Sequence, residues 1–103
     1  MKTNKLIKFF ENEGFSVHLF EQDKKQCAEL EVWTNGGVDM IIVLNPITEK
    51  EFINYVDNFE VDEEIDLHRQ DERYKNAFSI SESVKDFTDF YNWLKEIKNK
   101  LEK

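Results

Sequence analysis

The residues of this chain best suited to chemistry are its carboxylates, two histidines and one cysteine. Asp62-x-Glu64-x-Asp66 has the alternating carboxylates that open a calcium loop. Such a loop needs glycine at its sixth position and a bidentate glutamate at its twelfth. Those positions hold Leu67 and Arg73, so the EF-hand pattern fails. His68 with Asp71 or Glu72 has helical spacing for two metal ligands, but no HExxH-type pair accompanies it. His18 is far from His68 in sequence and Cys27 sits on a different strand, and a zinc site needs its ligands gathered at regular spacing. No metal is expected. Cys27 beside His18 would form a nucleophile–base pair if neighbouring strands brought them together. A lone cysteine more commonly packs as a small buried hydrophobe. A glycosidase-type carboxylate pair needs a deep cleft, which so short a chain rarely builds. Gly36-Gly37 belongs to a hairpin rather than a phosphate loop, and no P-loop pattern is present. No catalytic or cofactor-binding residue is assigned, and the chain is read as a non-enzyme.

What remains is charge. The chain has a formal net charge of −8. From Glu49 to Glu72 there are ten acids and two bases, Lys50 and Arg69, so this window carries all of it. Between Asp57 and Asp66 there are six acids and no base: Asp57, Glu60, Asp62, Glu63, Glu64 and Asp66. Such a segment repels phosphate and attracts Lys- and Arg-rich surfaces at long range. Two readings follow. One is a solvated face that serves solubility alone. The other is a contact surface for a basic groove on another protein, with carboxylates imitating backbone phosphates. The six acids are the candidate partner-binding residues under the second reading.

The elements that must position these residues follow from pattern. Leu6, Ile7 and Phe10 are at helical spacing over 3–13, and Gly14 suits the position after the helix end. Phe15, Val17 and Leu19 alternate with Ser16 and His18 as a strand, and Asp23-Lys24-Lys25-Gln26 is a polar turn. Ala28, Leu30 and Val32 alternate with Glu29, Glu31 and Trp33 as a second strand. Asn35-Gly36-Gly37 signals a hairpin into a third strand, Val38 to Leu44. Pro46 fits the first position of a helix, with Thr48 and Glu51 as a capping box and Phe52, Ile53 and Val56 as its buried stripe. Residues 59–76 read as mostly loop with a helical turn. Ser81 or Ser83 then caps a long helix to about Leu101, with Val84, Phe87, Tyr91, Leu94, Ile97 and Leu101 as its seam. The fold class is α+β: a three-stranded antiparallel sheet with helices mainly on one face. Chain length bounds it to one domain, 1–103.

The α-β-β-β-α order resembles the double-stranded-RNA-binding domain. That family needs a lysine cluster opening its second helix, and here the position is Thr48-Glu49-Lys50-Glu51. Direct nucleic-acid binding is therefore not expected. Trp33, Phe20, Phe90, Tyr91 and Trp93 exceed what one sheet face and two helices need to hide. Core packing is the plain account, and a homodimer or partner patch is the alternative. No apolar run of about 18 residues is present, so no membrane partner is expected. The apolar stretch after Lys8 is too short for a signal-peptide core, which makes the cytoplasm the default compartment. Lysine outnumbers arginine twelve to two, a bias of AT-rich genomes.

The run Val61 to His68, then Arg69 to Tyr74, then Ser83 to Phe87, resembles small acidic proteins of phages and mobile elements in low-GC Gram-positive bacteria. The resemblance spans roughly Phe59 to Leu101. Some proteins of that type are anti-CRISPR or anti-restriction inhibitors. It implies a non-enzymatic protein-binding inhibitor that blocks a basic nucleic-acid-binding groove. An immunity or antitoxin-like protein is the alternative, and a small metal- or thiol-dependent enzyme is a further one.

Overall fold

The computed structural model describes the backbone of residues 2–33, 39–70 and 80–103, and their side chains except at 39, 68–70 and 80–83. The order is α1 (Thr3–Glu13), β1 (Ser16–Gln22), β2 (Lys25–Trp33), β3 (Asp39–Leu44), α2 (Glu49–Asp57), α3 (Val61–Gln70) and α4 (Ile80–Glu102). The fold is α+β, with one antiparallel sheet in the order β1-β2-β3. The chain divides into two compact units, Met1–Tyr55 and Val56–Lys103.

In the first unit, α1 buries Leu6 and Phe10 and ends at Gly14, whose φ of 116° only glycine adopts cheaply. Phe10 packs edge-on against Phe15 and lies 5.0 Å from the Phe52 ring. Gln22 pairs with Lys25 across Asp23 and Lys24, both at positive φ. The turn is therefore two residues long, in the doubly left-handed form that matches strand twist. Lys25 and Gln26, expected in that turn, belong to β2. The register places Ala28 opposite Leu44, Leu30 opposite Ile42 and Val32 opposite Met40. On this face Ala28, Leu30, Met40, Ile42 and Leu44 are buried. Leu19 shares the face but is exposed, unlike Leu44 across Ala28 on the other edge strand. The Asn35-Gly36-Gly37 hairpin and Val38 lie outside the described residues.

Pro46 does not begin a helix. The Asn45-Pro46 bond is cis, the Ile47 N–H donates to Gln26 O at 3.0 Å, and α2 starts at Glu49. Thr48 is the cap: its Oγ1 accepts from the Glu51 N–H at 3.2 Å. Phe52 and Val56 are the buried stripe, with Ile53 half-buried.

In the second unit the expected loop is a ten-residue helix, α3, packed on α4. Its apolar content is small, with Ile65 buried and Val61 one turn before it half-buried. Asp62, Glu63 and Glu64 occupy its first turn, where each carboxylate gains about 0.3–1 kcal/mol against the helix dipole. That gain exceeds the about 0.2–0.5 kcal/mol lost when Asp62 and Asp66 face each other one turn apart. Residues 71–76 of the expected loop lie outside the described residues. The last helix starts at Ile80, so Ser81 and Ser83 fall inside its first turn rather than at its cap. Its buried seam is Phe87, Phe90, Leu94, Ile97 and Leu101. Phe90 belongs to the seam, and Val84 is exposed.

Candidate functional site

Five of the six candidate acids surround the start of α3, and the sixth ends α2. The connection between these helices is held to α4 by two contacts. Phe59 is buried and its ring stacks on Tyr91, with centroids 5.0 Å apart and planes 5° apart; Phe90 meets it edge-on at 6.2 Å. Two residues earlier, Lys98 Nζ donates to Asp57 Oδ1. Lys98 also lies 3.7 Å from Glu102. The hydrogen bond from Lys98 to Asp57 holds the lysine charged to a higher pH than usual. Lys95 sits over the Tyr91 ring at 4.6 Å. An aromatic stack and an ion pair thus fix the place where the acidic segment leaves α2.

These contacts sort the six acids. Asp57 already has a cation within 4 Å, so its charge is largely answered within the chain. Glu60 precedes α3; its carbonyl accepts from the Glu64 N–H at 3.0 Å and its side chain is exposed. Asp62, Glu63 and Asp66 are exposed, and Glu64 is half-buried. Asp62 and Asp66 are one turn apart and share a face. Leu67, within the stretch expected to be mostly loop, is 59% exposed one turn after Glu63. The outcome is an exposed leucine one turn after Glu63 and Glu64, with Asp62 and Asp66 on a different stripe of the same helix. Asp66 lies beyond the first turn, so the helix dipole gives it no local role. Its signal in the sequence was only the absence of any neighbouring base.

The thiol candidate assembles differently from the expectation. The register sets Cys27 opposite Phe20 and His18 opposite Glu29. Cys27 is fully buried, and its Sγ donates to Asn45 Oδ1 at 3.2 Å. Asn45 Nδ2 in turn donates to Gln22 Oε1 at 3.4 Å. His18 turns to Glu31, with Nε2 3.5 Å from its carboxylate. Cys27 and His18 are therefore engaged with other partners. Among the described residues, no three His, Cys, Asp or Glu side chains gather as metal ligands, and no helix is long and apolar enough to cross a membrane.

The aromatic surplus divides by element. Phe90 is buried, Tyr91 and Trp93 are half-buried on α4, Phe20 is half-buried, and Trp33 is 66% exposed. Comparison with protein-family models, curated proteins and solved structures gave no match.

Proposed function

We propose that this chain is a non-enzymatic, protein-binding inhibitor of the anti-CRISPR or anti-restriction kind. Its acidic α3 surface occupies a basic groove that otherwise holds nucleic acid. The observation that carries this reading is that Glu60, Asp62, Glu63, Asp66 and Leu67 are all exposed within eight residues, on α3 and the residue before it. An exposed apolar side chain on a helix otherwise lined with charge of one sign suits contact with a partner of the other sign. The acids steer a basic partner and the leucine contributes desolvation. Asp57 contributes less, because Lys98 already meets it.

The test is affinity capture from the native host at low and high salt, with wild-type protein and with a D62N/E63Q/D66N variant. The expected result is a basic nucleic-acid-binding protein, retained at low salt, lost at high salt and weakly retained by the variant. Recovery of no basic partner, or of one indifferent to salt and to these three charges, would sink the proposal.

A further inference from the structure

The first unit carries a partly exposed sheet surface made of residues other than the acids of α3. Opposite the sheet's buried face, the register sets Glu29 between His18 and Val43. Glu31 and Trp33 follow on β2 at steps of two, which keeps them on the same face. Val43 is 53% exposed, and Trp33 more so. Glu29 and Glu31 are half-buried, and His18 is exposed beside Glu31.

Glu29 and Glu31 are two steps apart on one strand, with their Cα atoms about 7 Å apart. Partial burial lowers the screening between them and raises the gain from any cation brought close. Nearby Trp33 offers a bare indole face, which a guanidinium stacks on better than an ammonium.

Charge decides among occupants. A second copy docked about a two-fold axis would bring Glu29 and Glu31 of both chains together, at a repulsive cost. Phosphate and anionic lipid are repelled for the same reason. A cationic protein segment remains. We infer that the part of this sheet face bearing Glu29, Glu31 and Trp33 is a docking site for an arginine-bearing segment of a protein partner. Glu29 and Glu31 take the guanidinium groups and Trp33 stacks on one of them. This inference stands on residues of the first unit and is independent of the α3 reading.

The probe is a short peptide alternating arginine with serine, titrated into isotope-labelled full-length protein at physiological salt. The expected result is saturable shifts of the Trp33 indole and of the amides of 29–33, with a weaker response to the lysine counterpart. E29Q/E31Q and W33A should each weaken binding about tenfold or more while the spectrum of the free protein stays folded. Shifts confined to 60–67 with Trp33 silent would overturn the inference and leave the α3 reading intact. Absence of saturable binding, affinity unchanged in both variants, or a peptide-free dimer abolished by W33A would also overturn it.

Discussion

Phe10 touches Phe9, Phe15 and Phe52 and has no exposed surface. Phe10→Ala should therefore cost about 3–5 kcal/mol, through lost transfer energy and the cavity left behind. Such a loss is a large share of the about 5–15 kcal/mol that holds a typical domain. Urea titration followed by tryptophan fluorescence should show the lower midpoint, with exposed Val84→Ala close to wild type. Lys98 calls for a pH experiment. Its folded pKa lies above the ordinary 10.5, so folding favours the protonated form. The stabilisation is fully present below pH 10.5 and is lost as the pH rises through the higher folded value. Lys98→Met should thus be less stable than wild type at neutral pH, and the gap should close in strong alkali. A constant gap across that range would show that Lys98 acts by packing alone. At this scale the sequence was legible where hydrophobicity spoke. Phe10, Phe52, Phe87 and Leu94 are each buried on the helical stripe their spacing implied. It was silent on the ion pair between Asp57 and Lys98, because partners 41 residues apart leave no local signal.

The turn between β1 and β2 uses two residues without glycine at positive φ, Asp23 and Lys24. A lysine in that region is disfavoured by contact between Cβ and the backbone. Lys24→Gly should accordingly stabilise the protein by about 0.5–1 kcal/mol, read as a higher thermal midpoint. The Thr48 cap predicts the opposite sign: Thr48→Ala should cost about 1 kcal/mol by leaving the Glu51 N–H without its acceptor. Elements were legible in proportion to their apolar periodicity. α1, β2 and α4 carry strong patterns and lie close to where spacing put them. α3 was hidden, because its ten residues include only Val61, Ile65 and Leu67 as apolar members, and Leu67 faces outward. That helix rests on its dipole and on α4, and neither is visible in a window of sequence. The same origin makes glutamine and asparagine the proper substitutions for testing the acids. Lysine there would oppose the dipole and confuse loss of contact with loss of helix.

Across the whole chain, the formal charge of −8 falls unevenly, and four of the acids sit on a single short helix, α3. Association with a basic partner should slow markedly as ionic strength rises, while dissociation changes less, because steering acts mainly on encounter. Stopped-flow mixing at several salt concentrations would separate the two rates. The candidate surface was half legible. Charge stays outside in any fold, so five of the six acids were placed near the surface by type alone. The exposure of Leu67, and the sheet face bearing Glu29, Glu31 and Trp33, needed the structure to be seen.

The burial of Cys27 has a practical outcome. A thiol with no exposed surface, on a chain with no second thiol, can be tagged once per molecule and only after the sheet opens. Under a brief pulse of alkylating reagent, mass spectrometry would show two populations differing by one tag, and their ratio would serve as a clock for opening of the first unit.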